Sequence, residues 1–267
     1  MNFIERYGPW AVIAGASEGT GQAFARTVAA RGLNCILIGR REGLLAALAA
    51  EIRAESGVEC ITCVVDLSAT DACDSIATAV GPREVGLYIS NAGADTNGAR
   101  FLQSDMSRWI ELVNRNVLTT MRCCYRLGGS MCERGRGGII LVGSGACYGG
   151  ASYMAVYSAT KAFDLCLGEG LWAEFRQHGV HVLNLILGRT DTPAFRDMLA
   201  RKGLPVPSGL ASPADVAEVG LTRLPFGPVH HWNLQDDEVG YAPNSAAVRR
   251  ARILAIDEAT KDVFGGK

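Results

Sequence analysis

Trp10-Ala11-Val12-Ile13-Ala14-Gly15-Ala16-Ser17-Glu18-Gly19-Thr20-Gly21 is the stretch on which the fold turns. Its first five residues are an unbroken apolar run of strand length. From Thr20 to Arg31 apolar residues recur at helical spacing, so the stretch predicts a strand, a glycine-rich turn and a helix. The step repeats. Cys35-Ile36-Leu37-Ile38 precedes an Ala/Leu-rich helical stretch from Glu42 to Glu55, and Val58 to Val65 precedes Asp71 to Val80. Three further strands are expected at Val85 to Ser90, Gly138 to Gly143 and Val180 to Leu187, separated by helical stretches around Asp105 to Glu133 and Ser152 to Gln177. Strands that read as near-continuous apolar runs, each separated by a helix, call for a parallel sheet covered on both faces. The expected class is a doubly wound α/β fold.

No boundary rich in Pro, Ser or charge interrupts the alternation before Gly188, so one domain over residues 1–267 is expected. From Gly188 to Pro213 the chain carries Pro193, Pro205, Pro207 and Pro213 around a short helical piece, Ala194 to Lys202, that presents Phe195, Met198 and Leu199. This segment is either a surface connection or a lid over a site, and its place after a strand's carboxyl end favours the lid. Gly227 to Trp232 is expected to add a last strand, and Asn244 to Phe264 reads as a charged amphipathic helix. Adjacent His230 and His231 would point to opposite faces of such a strand, a poor pair of ligands for one metal. They read as structural, and no metal is expected.

Apolar residues make up 48 %, charged residues 20 %, and the net charge is −1, which excludes a disordered chain and a nucleic-acid binder with a basic footprint. The 32 glycines, about 12 % against an average of roughly 7 %, show no triplet period and point to tight turns. The nine cysteines lie in apolar stretches and read as reduced core thiols. Met1 to Arg6 lacks the pattern of a signal peptide and no apolar run is long enough to span a membrane, so a cytoplasmic location is expected.

The chemistry begins at Gly15, Gly19 and Gly21. In a strand-turn-helix context this loop places backbone N–H groups and the positive end of a helix where a pyrophosphate can sit. The spacing GxxxGxG is similar to that of the short-chain dehydrogenase/reductase family. Other landmarks follow in the family's order: Asp66 and Leu67 after the third strand, Asn91-Ala92-Gly93 after the fourth, Asn116 in the long helical stretch, and Ser144 after the fifth strand. Thirteen positions beyond Ser144 stands Tyr157-Ser158-Ala159-Thr160-Lys161, which matches YxxxK. Within the family the chain looks most like hydroxysteroid dehydrogenases and long-chain 3-ketoacyl reductases, through Tyr7-Gly8-Pro9-Trp10-Ala11-Val12, Glu84 to Leu87, Met131 to Arg134 and Tyr157 to Phe163. The resemblance covers roughly residues 10–193. It implies a Rossmann fold, an NAD(P)-dependent ketone/alcohol oxidoreductase, and a catalytic set of Asn116, Ser144, Tyr157 and Lys161.

These four residues also make chemical sense without the resemblance. Tyr157 and Lys161 are i and i+4 on one helix, hence on one face. A phenol with a reference pKa of about 10 needs roughly 4 kcal/mol to exchange protons freely near neutrality, and a nearby ammonium supplies part of it. Ser144 can hold a substrate oxygen as charge develops. Each also has a structural reading: core tyrosine, solvated lysine, turn-forming serine, helix asparagine. By resemblance, Lys161 also holds the nicotinamide ribose, Asn116 anchors a water in the proton relay, and Thr190 and Thr192 contact the carboxamide and phosphates. The loop after the sixth strand keeps Gly188 but lacks the proline that usually precedes it.

The cofactor reading turns on Arg40 and Arg41, about 20 residues beyond the loop, which suit the 2′-phosphate of NADP rather than the ribose hydroxyl of NAD. Glu18, in the phosphate loop beside Ser17, either repels that phosphate or points into water. Gly145, Ala146, Gly149 and Gly150 leave room beside Ser144 for a bulky lipophilic ketone, with Tyr148, Tyr153 and Phe195 as expected pocket walls. The alternative is a catalytically silent NADP(H)-binding sensor. Met106, Trp109, Val113, Leu167 and Leu171 are expected on an outer apolar face that pairs two copies into at least a homodimer, a tetramer being a further option.

Overall fold

The short apolar runs pair side by side into one sheet. The computed structural model describes residues 1–93, 95 and 98–232. Among them are β1 (Trp10–Ala14), β2 (Asn34–Gly39), β3 (Cys60–Val64), β4 (Val85–Ser90), β5 (Gly137–Ser144), β6 (Val180–Leu187) and β7 (Val229–His231). Their order is β3-β2-β1-β4-β5-β6-β7, and each neighbouring pair is parallel. The helices are α1 (Phe3–Tyr7), α2 (Gly19–Ala30), α3 (Glu42–Ser56), α4 (Ala72–Val80), α5 (Met106–Val113), α6 (Thr119–Arg134), α7 (Ala155–Phe175), α8 (Pro193–Arg201) and α9 (Pro213–Arg223).

Burial follows from this layering. Every residue of β1 and β4 is buried, as parallel strands with two covered faces require, whereas the edge strand β3 leaves Thr62 and Val64 exposed. Ile13, Leu37, Ile140 and Leu185 face one side, where they meet Phe24 of α2, Leu48 of α3 and Val216 of α9. Val12, Ile36, Tyr88 and Val182 face the other, against Ile76 of α4 and Leu127 and Met131 of α6. Each such side chain contributes roughly 1.5–3 kcal/mol on burial, so this two-sided core dominates over any cap or surface pair. The chain reverses direction across the sheet between β1 and β4, and the carboxyl ends of those strands open the crevice where α/β sheets bind ligands.

Several expectations are corrected. The helical stretch from Asp105 to Glu133 is interrupted by one π-helical turn, Asn114–Leu118, between α5 and α6. Its extra residue per turn brings Asn116 inward to full burial. All nine cysteines are free, but Cys132 is only half-buried and Cys166 is exposed on the outward face of α7, which it shares with Glu169 and Gly170. Helix α9 was not anticipated. Its start is nevertheless written in the sequence, with Pro213 in the first turn and Ser212 accepting a hydrogen bond from the Asp215 amide.

The proposed outer face also differs. Trp109 is buried, with Nε1 donating to the Phe101 carbonyl, because the α5 face that carries it turns inward. Leu171 packs into the core, Val113 and Leu167 are half-buried, and Met106 alone of the five is exposed. Ile110, Met121 and Tyr125 take the exposed places instead. The last strand does form, as β7 beside β6. The C-terminal helix expected at 244–264 lies outside the described residues.

Candidate active site

The loop after β1 is shaped by contacts only glycine allows. Gly15 has φ +81°, and its amide and that of Ala16 both donate to the Ile38 carbonyl at 2.9 Å, tying the turn to β2. At Gly21 a Cβ would lie 2.0 Å from the Gly15 carbonyl oxygen, so a side chain there has no room. Asn91 closes the loop from β4: its Nδ2 donates to the same carbonyl at 3.2 Å, and its amide and that of Ala92 both donate to the Ala14 carbonyl. Helix α2 begins at Gly19 and Thr20 with no side chain capping it, so its first-turn amides are available to an anion. The loop therefore fits a dinucleotide pyrophosphate.

Glu18 does not simply point into water. Its two carboxylate oxygens accept from Nη1 and Nη2 of Arg41 at 2.9 Å, and Nη2 also donates to Ser17 Oγ at 2.9 Å. Glu18 thus anchors Arg41 at the loop instead of pointing into water. Arg40 reaches the other way, 3.5 Å from Asp66. Asp66 accepts from the Ser68 amide and hydroxyl at 2.9 and 2.7 Å. Although burial pushes its carboxyl up, these bonds and the charges of Arg40 and Arg115 hold it below the usual range. Leu67 is buried, and its carbonyl accepts from Thr119. Arg115, from the π-turn, completes the charged rim. Partial burial and then the charge of Arg40 lower its pKa, and its Nε has no hydrogen-bond partner among the described residues.

Deeper in the crevice three elements converge on Gly93, whose φ is +141°. Asn116 Nδ2 donates to the Gly93 carbonyl at 3.1 Å and to Thr160 Oγ1 at 2.9 Å. Thr160 Oγ1 in turn donates to the Tyr157 carbonyl at 2.8 Å, so a chain of hydrogen bonds links the π-turn to the first turn of α7. A Cβ on Gly93 would lie 3.2 Å from Lys161 Nζ. That ammonium is buried and donates to the Val142 carbonyl at 3.0 Å and to Asp164 Oδ2 at 3.1 Å. Burial lowers the Lys161 pKa, but the charges of Asp164 and Tyr157 outweigh it, and the net shift is upward. Ser144 ends β5, its Oγ accepting from the Ala146 amide at 3.2 Å, and the turn Gly145–Tyr148 packs on α7. Tyr157 is half-buried.

The expected pocket walls have partners of their own. Tyr148 hydrogen-bonds His231 Nε2 and stacks on that ring, so His231 belongs beside the site. Tyr153 has φ +65° and carries the Arg100 guanidinium 5.0 Å above its ring. Past exposed Gly188, Thr190 Oγ1 is buried with no hydrogen-bond partner among the described residues. Thr192 caps α8 by accepting from the Phe195 amide at 3.2 Å, and its methyl lies against Gly19. The segment after β6 thus rests on the loop after β1, with Phe195 half-buried. Asp164, Thr160 and Arg115 are not singled out by the sequence reading. For Asp164 a signal existed: it stands i+3 from Lys161, on the same helix face.

The family model for short chain dehydrogenases matches residues 9–203. A 7β-hydroxysteroid dehydrogenase of Clostridium sardiniense is 33 % identical over 195 residues, which cover 73 % of this chain and 74 % of that protein. Among solved structures, one of a 7β-hydroxysteroid dehydrogenase superposes with a TM-score of 0.80 at 26 % identity, covering all of both chains. A short-chain dehydrogenase from Sphingobium yanoikuyae in complex with NADPH superposes with a TM-score of 0.76 at 25 % identity, covering 97 % of this chain and 96 % of that one.

Proposed function

The chain belongs to the short chain dehydrogenase family, whose members are oxidoreductases acting on CH–OH groups, and on that premise we propose that it reduces a bulky lipophilic ketone with NADPH, or oxidises the corresponding alcohol. The carrying observation is that Asn116 of the π-turn ties Gly93 to α7 and that the buried Lys161 ammonium lies beside that Gly93. A bound nicotinamide supplies or accepts the hydride. The chain's own groups do the rest. Ser144 orients the carbonyl oxygen, Tyr157 exchanges a proton with it, and Lys161 holds the ribose and favours the phenolate. Asn116 fixes the first turn of α7 through Thr160 and holds the relay water.

The pyrophosphate would lie on Gly15, Ser17, Gly19, Thr20 and Gly21, the adenosine against Asp66, Leu67, Asn91 and Ala92, and the carboxamide beside Gly188 and Thr190. NADP is favoured over NAD because Arg40 and Arg41 flank the end of β2. Their partners Asp66 and Glu18 hold them through exposed ion pairs, each worth about 0–1 kcal/mol, which a phosphate can displace. The small residues around Ala146, with Tyr148, Tyr153 and Phe195, form the substrate walls, and residues 188–213 act as the lid. The similarity to 7β-hydroxysteroid dehydrogenases supports a steroid-sized substrate. We place the enzyme in the cytoplasm, consistent with nine free thiols, and as a homodimer or larger homo-oligomer.

Purified protein is mixed with NADPH and a panel of steroid, aryl and acyl ketones while cofactor absorbance is followed. Consumption with at least one bulky ketone is expected. Tight NADPH binding with no turnover across the panel would instead favour the sensor.

A further inference from the structure

Asp164 is a buried carboxylate for which the proposed chemistry has no use. It sits one turn beyond Lys161 on α7, 4 % exposed, with Oδ2 3.1 Å from Nζ and Oδ1 lacking a hydrogen-bond partner among the described residues. A lysine that only had to face a ribose and a phenol would be better served by an apolar neighbour at this position, since a buried carboxylate is costly. We propose that Asp164 is a positioning residue that clamps the Lys161 ammonium from behind and offsets its charge, keeping Tyr157 in the protonated, proton-donating form that ketone reduction needs.

The geometry supports this in two ways. An ammonium has three N–H donors, and here Val142 and Asp164 take two, so one remains for the catalytic side. The direction of the remaining bond is thereby fixed. In addition, a cation whose counter-ion lies 3.1 Å away acts on a third group as a dipole, and its pull on a phenolate is much weaker than that of a bare charge. The other groups acting on the pair are Tyr157 on α7, Cys147 from the turn after β5 and Cys124 from α6. β5 contributes only the Val142 carbonyl, β6 turns the uncharged amide of Asn184 toward α7, and the π-turn presents the uncharged Asn116. No second cation among these groups replaces Lys161. Burial pushes the Asp164 carboxyl up against the opposing pull of Lys161, in keeping with a pair that shares its charge tightly.

The inference rests on Tyr157 being the proton donor, but its test does not require turnover. Phenolate absorbance of the full chain, with and without NADP, is titrated for wild type and for Tyr157→Phe, and the difference isolates Tyr157. The same pair is measured in an Asp164→Asn background, which keeps shape and a hydrogen-bond acceptor while removing the charge. The Tyr157 midpoint is expected to fall by about one pH unit. Where a substrate has been found, the acid limb of alcohol oxidation should move down with it. A midpoint equal to or above that of wild type overturns the proposal, even if Asp164→Asn also loses thermal stability, because a purely structural role leaves the midpoint in place. Should Asp164→Asn not fold, Asp164→Ser is read by the same criterion. If wild type turns over no ketone, the functional reading fails while the absorbance titration still decides the role of Asp164.

Discussion

Tyr157 and Lys161 stand about one helical turn apart on α7, and the chemistry assigned to them differs enough to be separated by substitution. Tyr157→Phe removes the proton donor but none of the loop that would hold the nucleotide. Turnover is therefore expected to fall by at least about 100-fold while NADPH affinity stays within a few-fold of wild type, as steady-state kinetics and fluorescence titration would show. Near-normal turnover would refute the assignment. At the end of β2, Arg40→Asp with Arg41→Ala removes both guanidinium groups and leaves Glu18 without its partner. The ratio of kcat/KM for NADPH over NADH should then fall by about 10-fold or more, each lost charge-assisted contact being worth roughly 1.5–3 kcal/mol. An unchanged ratio would assign the 2′-phosphate to other groups, with Arg115 the nearest candidate. Most of these residues were legible because loop, Tyr and Lys sit at fixed offsets within single elements. For Asp164 only the i+3 spacing from Lys161 was legible, since its meaning depends on Lys161 turning inward to Val142, a rotamer choice that spacing does not encode.

Among the elements, the strands were the most legible. Two buried faces leave β1 wholly apolar and β4 apolar up to its terminal Ser90, so the apolar runs mark them directly. The π-turn at Asn114–Leu118 was hidden because one extra residue barely disturbs a helical pattern, and its stabilising bonds from Asn116 reach residues 23 and 44 positions away. Helix α1 shows the same long-range dependence. Tyr7 is buried, its hydroxyl meets His181 Nδ1 on β6 at 2.6 Å, and Arg6 donates to the Gly179 carbonyl at 3.1 Å. Tyr7→Phe should cost about 1 kcal/mol in chemical denaturation, since it strands one buried imidazole nitrogen. Burial, and then the charge of Arg6, lower the His181 pKa below its ordinary 6.5. The unfolded chain therefore takes up a proton before the folded one as pH falls. Stability from this source is complete above about 6.5 and is lost as pH falls toward the lowered folded value. Melting temperatures of wild type should drop more steeply than those of His181→Phe between about pH 7 and 5. Parallel curves would show that His181 is not a source of the acid sensitivity.

Over the whole molecule, the exposed apolar side chains are unevenly placed. Met106 and Ile110 lie one turn apart on α5, and Met121 and Tyr125 one turn apart on α6, with exposures of 61, 51, 38 and 85 %. The π-turn between them adds a residue to the helical repeat, so each exposed pair stands as an apolar stripe on its own helix, one on α5 and one on α6. The sheet has no further claim on them, because Trp109, Leu112, Cys124 and Leu127 already fill the inward face. A stripe of this kind left in water is unfavourable, and a two-fold axis beside it lets the same surface cover itself in a second copy. The expected assembly is therefore a dimer through α5 and α6, sharing only Met106 with the residues the sequence suggested. Light scattering at micromolar concentration should give at least twice the 28.3 kDa of one chain. Ile110→Lys together with Tyr125→Glu places charges in the centre of that face, and such a variant should sediment as a monomer while keeping its far-ultraviolet circular dichroism. If wild type itself remains at the mass of one chain, the stripe is not a dimer face. If the double variant keeps the wild-type mass, the copies meet elsewhere, and the face formed by α5 and α6 has no part in assembly.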